Sequence, residues 1–227
     1  MENKKSNLFK NTFVLVIITL VAVAALAVVN QITKGPIEQA EINQKAEAYK
    51  VVYADANEFS EIDGLDKMIK NSTKLFEDNG LSGCTVTDAL AVKNSGGDTE
   101  GYIIASSSPN GYGGEIDVAI GIKDDKLTGF AVVNQMETQG YGAACAEDKF
   151  TSQFAGKKVG VLTAKAGGTA DDEIDAISGA TFTTNGVTNA VNTAVLFYMD
   201  TFGDGAPEVS FESNDADAAS GATVQAQ

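Results

Sequence analysis

Apolar positions along the chain change rhythm twice. Residues 12–29 are 18 consecutive uncharged positions in which only Thr12 and Thr19 carry a hydroxyl. As helix the run is about 27 Å long at 1.5 Å per residue, enough to cross the hydrocarbon core of a bilayer. The rival reading is a cleaved signal sequence, for which Ala25-Leu26-Ala27 offers a small-x-small site. The apolar part of a signal sequence is usually only about 7–15 residues long, so a retained transmembrane helix over residues 11–32 is expected, behind a short N-terminus of residues 1–10. Residues 33–203 mix apolar and polar positions on shorter periods, as one folded domain does. Beyond Gly203 come Asp204, Glu208, Glu212, Asp215 and Asp217 without a lysine, so residues 204–227 read as an acidic, disordered tail.

Within the domain, Pro36 opens a helical stretch to Val52 with Ile37, Ala40, Ala48, Val51 and Val52 as its apolar stripe. A short helix is expected over 65–75, and the rest of residues 53–100 gives no firm pattern. Ile116, Val118, Ile120 and Ile122 alternate with smaller or polar residues and predict a strand. The polar residues 123–126 make a hairpin connection to a second strand over 127–134, and residues 102–106 supply a third. A short helix is expected over 150–154, a strand over 158–162, and a helix from Asn185 to Met199 with Val187, Val191, Ala194, Val195 and Tyr198 on one face. The fold class is α+β, a twisted antiparallel sheet packed by helices.

Composition narrows the chemistry. The 227 residues carry 16 basic groups, all lysine, against 31 acidic ones, for a net charge of −15. Lys4, Lys5 and Lys10 precede the apolar run with Glu2 alone opposing them, so residues 1–30 carry +2 and the remainder −17. Positive-inside bias then sets the chain in the plasma membrane as a single-pass protein, N-terminus cytoplasmic and domain extracytoplasmic. Nucleic acid is not an expected partner, since binding it needs cations to displace phosphate counterions. With no histidine in the chain, His-based triads, His-ligated zinc and His-ligated haem are excluded. No catalytic residue and no metal ligand set is expected, and a bound cofactor would bring the chemistry. Cys84 and Cys145 show no metal-site spacing, and whether they pair is open.

Between the strands and the last helix lies Asp175-Ala176-Ile177-Ser178-Gly179-Ala180-Thr181-Phe182-Thr183. Its local chemistry allows two readings. One is a connecting turn in which Thr183 or Thr184 caps the helix. The other is an anion site, where a phosphate on a threonine hydroxyl meets free N–H groups and the positive end of the helix dipole.

The stretch resembles the Asp-x-x-Ser/Thr-Gly-Ala-Thr signature of covalently flavinylated FMN-binding domains. The chain as a whole resembles the RnfG family, electron-transport subunits of Rnf ion-translocating ferredoxin:NAD oxidoreductase complexes, and is similar to the related NqrC subunits of sodium-pumping quinone reductases. Gly111-Tyr112-Gly113-Gly114 resembles the family's glycine-rich segment. Glu137-Thr138-Gln139-Gly140-Tyr141-Gly142 resembles its Glu-Thr-Pro-Gly-x-Gly loop, with Gln139 in place of proline. Phe150, Phe154 and Gly156-Lys157 fit the helix that follows, and the likeness extends over about residues 1–200. It implies FMN joined to the Thr181 hydroxyl as a phosphoester by a separate flavin transferase that uses FAD and reads Asp175, Ser178, Gly179 and Ala180. It also implies that Gly113 and Gly114 let backbone approach the flavin ring, that Glu137 and Thr138 bond ribityl or ring atoms, and that Tyr112 or Tyr141 stacks on it, unless these tyrosines are simply packed. Lys157, Lys158 and Lys165 are the candidate cations near the flavin, with solvated charges as the alternative. The implied partners are the other membrane and redox subunits of the complex.

A second copy of the signature, Asp217-Ala218-Ala219-Ser220-Gly221-Ala222-Thr223, lies in the tail and makes Thr223 a second candidate attachment site. Two other functions stay open at this point: an NqrC-like subunit of a sodium-translocating NADH:quinone reductase, and a non-enzymatic anchored surface or assembly protein.

Overall fold

The computed structural model describes residues 2–54 and 58–203. Residues 204–227, Thr223 among them, lie outside the described residues, as do the side chains of 2–11, 28 and 34–46. The chain divides into two units, Met1–Ala46 and Glu47–Gln227.

The first unit is helix throughout its described length, part of α1 (Glu2–Val52). Thr12–Thr33 is long and apolar enough to cross a bilayer. Its polar atoms suit that medium: the Thr19 hydroxyl donates to the carbonyls of Leu15 and Val16 at 3.0 and 2.9 Å, and the Thr33 hydroxyl to that of Val29 at 2.9 Å. Side-chain hydroxyls that bond back to their own helix leave no donor unpaired in hydrocarbon.

The second unit is built on a five-stranded antiparallel sheet whose strands neighbour one another in chain order. They are β1 (Glu58–Glu61), β2 (Thr85–Lys93), β3 (Thr99–Ser108), β4 (Ile116–Lys123) and β5 (Lys126–Asn134), with α2 (Leu65–Asp78) between β1 and β2. The β4–β5 connection is two residues long, and Asp124 and Asp125 take φ of 49° and 55°. That left-handed pair matches the twist of the flanking strands, and aspartate tolerates it better than most residues. After β5 come a 3-10 turn (Gly142–Ala146), the single turn α3 (Asp148–Thr151), the parallel pair β6 (Thr163–Lys165) and β7 (Glu173–Asp175), and α4 (Thr181–Thr201).

Both faces of the sheet are covered. On one, Ile116, Val118, Ile120 and Ile122 pack with Val187, Val191 and Val195 of α4 and Phe76 of α2. On the other, the last turns of α1 lay Ala48, Tyr49, Val52 and Tyr53 against Val92, Ile103, Ala105, Ala119 and Val133. The Tyr49 hydroxyl donates to Asp88 at 2.7 Å, and burial, reinforced by that carboxylate, pushes its phenol far above the usual range. The end of α1 comes so close that a side chain at Gly121 would strike the Val52 carbonyl and the Thr128 hydroxyl, and one at Gly129 the Val52 backbone. The Thr128 hydroxyl donates to that same carbonyl at 2.5 Å.

The described elements differ from the sequence expectations in several places, the first being that the helix expected to open at Pro36 does not start there but is continuous with the apolar run in α1 (Glu2–Val52). No strand forms over 158–162: Lys158 makes one isolated bridge to Lys126, and Leu162 is held instead by the Asn192 side chain. That amide accepts from the Leu162 N–H at 2.8 Å and donates to its carbonyl at 2.9 Å, replacing a strand partner. The helix expected over 150–154 is one turn beginning at Asp148. Helix α4 starts at Thr181, four residues before the expected start at Asn185. The helix expected over 65–75 is α2, and the rest of residues 53–100, without firm pattern in the sequence, holds strands β1 and β2.

Gly121→Ala forces a methyl group into the Val52 carbonyl, and overpacking of this kind costs about 1–3 kcal/mol. The expected result is a lower denaturant midpoint for the detergent-solubilised chain with an unchanged m value. An unchanged midpoint would show that α1 does not bear on the sheet.

Candidate functional site

Three segments remote in sequence meet at the first turn of α4. Gly186, one turn into the helix, lies where a Cβ would sit 3.0 Å from the Gly111 nitrogen, so the absence of a side chain lets the 110–111 backbone lie against α4. Gly113 is crowded by the Met136 carbonyl, Gly111 by the Gly114 carbonyl and Glu137, and Gly142 by Glu137 and the Thr183 hydroxyl. These glycines are small because the chain itself fills the space around them. That is a different physical reason from the ligand approach expected at Gly113, and neither Gly113 nor Gly114 lines the cleft described below.

Glu137 joins the three segments. It is only 6% exposed, and its Oε1 accepts the Gly113 N–H at 2.9 Å while its Oε2 accepts the Thr183 hydroxyl at 2.6 Å. A buried carboxylate without a cation is held by donated hydrogen bonds. The turn before α4 is fixed separately. Gly179 has φ of +76°, a conformation that suits glycine. The Thr184 hydroxyl accepts the Ile177 N–H at 3.1 Å and donates to the Ala180 carbonyl at 3.0 Å.

Neither threonine caps the helix as the local reading expected. The N-cap position is Ala180, with no side-chain cap, because Thr183 is committed to Glu137 and Thr184 to the turn. Thr181, Phe182 and Thr183 therefore begin the helix with N–H groups that have no intrahelical acceptor, at the positive end of its dipole.

Thr181 is exposed and borders two hollows. The first, about 390 Å³, is lined by Tyr112, Glu137, Thr138, Tyr141, Gly142 and residues 179–183. Tyr112, Tyr141 and Phe182 stand 75%, 61% and 70% exposed around it, as does Met136 at 70% nearby. Large apolar side chains left in water around a concavity mark a binding place more often than they serve packing. The second hollow, about 740 Å³, includes Glu147, Lys149, Gln153, Asp175, Ser178, Gly179 and Thr181.

The candidate residues thus divide. Tyr112, Glu137, Thr138, Tyr141, Gly179, Ala180 and Thr181 share the first hollow, and Asp175 and Ser178 the second. Lys157, Lys158 and Lys165 line neither. Lys157 donates to the Ala170 and Asp171 carbonyls, and Lys165 pairs with Glu173 at 2.6 Å. The lysine that shares a hollow with Thr181 is Lys149, which no sequence pattern singled out; Phe182 and Thr183 were missed as well. Cys84 and Cys145 are separate buried thiols.

The FMN-binding domain family matches residues 111–196 and the RnfG N-terminal region matches residues 1–52. The chain is 30% identical over 198 residues to the G subunit of the Na(+)-translocating ferredoxin:NAD(+) oxidoreductase complex of Acetobacterium woodii, covering 85% of this chain and 92% of that one. It is 27% identical over 195 residues to the proton-translocating counterpart of Clostridium ljungdahlii, covering 86% and 93%. The chain belongs to the RnfG family. Among solved structures it is similar to NqrC of Shewanella oneidensis, at 22% identity and TM-score 0.40 over 48% of this chain and 54% of that one. The C subunit of the Na(+)-translocating NADH-quinone reductase of Parabacteroides distasonis has 22% identity and TM-score 0.46 over 63% and 76%.

The FMN-binding match runs from Gly111 to Leu196 and takes in every segment of the cleft of this RnfG-family chain. The residues present fit a flavin. The cleft is of small-molecule size, aromatic side chains flank it, and the unpaired N–H groups of α4 open beside an exposed hydroxyl at the place a phosphate needs them.

Two expected outcomes follow from these contacts. Burial, with the Glu137 charge second, pushes the Cys145 thiol up to about 11. Glu137→Gln removes the charge and keeps the side-chain shape, so alkylation of Cys145 should rise at a lower pH than in the parent, whereas Glu137→Ala should also cost about 1–3 kcal/mol by stranding its two donors. An unshifted alkylation profile in Glu137→Gln would separate Cys145 from the clasp. The Lys165 ammonium, then the Ala170 and Thr169 N–H groups, hold the Glu173 carboxyl down to about 2. A depressed carboxyl stabilises above its unfolded value and loses that contribution as pH falls through the folded one. Amide protection at Thr169 and Ala170 should therefore be full at neutral pH, fall away toward pH 2, and be low at all pH in Glu173→Ala, which removes the acceptor.

Proposed function

We propose that this RnfG-family chain is the electron-carrying G subunit of a membrane-bound, ion-translocating ferredoxin:NAD+ oxidoreductase complex, with FMN joined by a phosphoester to Thr181 Oγ. The observation that carries the reading is the exposed Thr181 hydroxyl on the first turn of α4, shared by an aromatic-rimmed cleft and a second hollow. FMN, when bound, would supply reversible electron uptake. The protein's part is to hold and surround it. The N–H groups of Thr181, Phe182 and Thr183 and the helix dipole stabilise the phosphate charge. Tyr112, Tyr141 and Phe182 flank the cleft with apolar faces, and Thr138 offers a hydroxyl on its wall. Glu137, with both oxygens turned to the chain, sets the spacing of the walls.

The covalent bond suits a carrier with a large open face, since occupancy then no longer depends on affinity. A flavin transferase makes it from FAD, meeting Asp175, Ser178, Gly179 and Thr181 on the exposed side of the turn. Residues 11–32 form the single span, with residues 1–10 and their lysines in the cytoplasm and the domain of residues 33–203 on the outer side. Its electrons come from and go to neighbouring redox subunits. RnfG membership favours this assembly over an NqrC-like one and over a non-redox surface protein.

Glutamate-specific cleavage of the denatured chain yields a fragment of residues 174–208 that carries Thr181. From a host that makes the flavin transferase, this fragment should be heavier by one FMN less one water, and Thr181→Val should abolish the increment while leaving the denaturant midpoint unchanged. A bare fragment from that host would overturn the covalent reading.

A further inference from the structure

Among the described residues that line the cleft beside Thr181, Glu137 is the one with a carboxyl or ammonium group. It is buried, so solvent and salt screen it weakly. Its two partners, the Gly113 N–H and the Thr183 hydroxyl, hold the carboxylate without cancelling its charge. The chain has no arginine or histidine to do so, and the candidate lysines are placed elsewhere. Lys157 bonds two carbonyls, Lys165 pairs with Glu173, and Lys149 lines the second hollow. The charge is already felt inside the protein, where it is the second cause, after burial, of the raised Cys145 thiol. The N–H groups at the start of α4 carry partial positive charge, which the phosphate takes up in the reading above. What remains in the cleft wall is one negative charge.

We propose that Glu137 tunes the flavin attached at Thr181, holding its reduction potential below the value it would have beside a neutral wall. The inference rests on the covalent reading of Thr181. Full reduction takes two electrons from a neighbouring redox subunit, which is oxidised, and two protons from water, leaving the ring in its dihydro form. A carboxylate in the wall opposes whatever negative charge the electrons bring ahead of the protons, and opposes an anionic product outright. The oxidised ring is favoured in its place. Glu137 thereby makes the carrier a stronger reductant, in addition to joining the three segments of the cleft.

Glu137→Gln separates the charge from the clasp. The amide oxygen can accept the Gly113 N–H and the amide nitrogen can donate to the Thr183 oxygen, so both bonds survive without the charge. The full chain, made in a host with the transferase and solubilised in detergent, is titrated with a reductant while flavin absorbance is followed. The midpoint of Glu137→Gln should move up, by about 30 mV for each tenfold gain in the ratio of reduced to oxidised flavin. Glu137→Asp, which keeps the charge on a shorter arm, should leave the midpoint low even where it loosens the clasp. An unmoved or lowered midpoint in Glu137→Gln, from a chain whose fragment 174–208 is loaded, overturns this proposal and leaves the Thr181 reading standing. An equal rise in Glu137→Asp assigns the effect to the clasp and also overturns it. A bare fragment 174–208 in the parent chain overturns the attachment reading and this proposal with it.

Discussion

A carboxylate removed from water must be met by donors, and Glu137 finds its two in segments 24 residues before it and 46 after it. With no cation beside it, the group is held only while the Gly113 amide and the Thr183 hydroxyl stay in place. Those two donors belong to the loop after β3 and to the first turn of α4, so the carboxylate ties both to the loop after β5. The glycines at 111, 113, 142 and 186 let the three backbones come within reach of it. Remove the closeness and the carboxylate is stranded; remove the carboxylate and, among the described residues, no side-chain hydrogen bond joins the walls. The cleft beside Thr181 is the space these contacts leave over.

The same economy of side chains works on the opposite face of the sheet. Gly121 and Gly129 make room for the backbone of Val52, and Thr128 closes the contact with a hydrogen bond to its carbonyl. Burying Val52 completely contributes about 1.5–3 kcal/mol on its own. The last turns of α1 are therefore part of the domain's own core. Strands covered on both faces explain why β3 and β4 carry apolar residues at adjacent positions as well as alternate ones.

Local rhythm made much of this fold legible, and long-range partners hid the rest. The β4–β5 hairpin and α4 announce themselves through strong periods and a polar turn. Strand β2 does not, because Thr85–Lys93 lies between two neighbours and its pairing breaks register at Asp88 and Lys93. Residues 158–162 have a strand's apolar alternation, but the partner that satisfies Leu162 is an amide 30 residues away. The site divides in the same manner. Thr181, Tyr112 and Tyr141 stand in segments that the family signature flags. The bond between Thr183 and Glu137, the position of Lys149 and the steric reason for Gly113 depend on what folding brings alongside, and no single stretch of sequence carries that.

Thr181 stands at the rim of the fold, and the core beneath it is already closed by aliphatic and aromatic side chains of the chain itself. Nothing in that interior waits for a prosthetic group to complete it. The attachment proposed at Thr181 would therefore add to a fold whose packing does not depend on it, and folding and loading would be separate events.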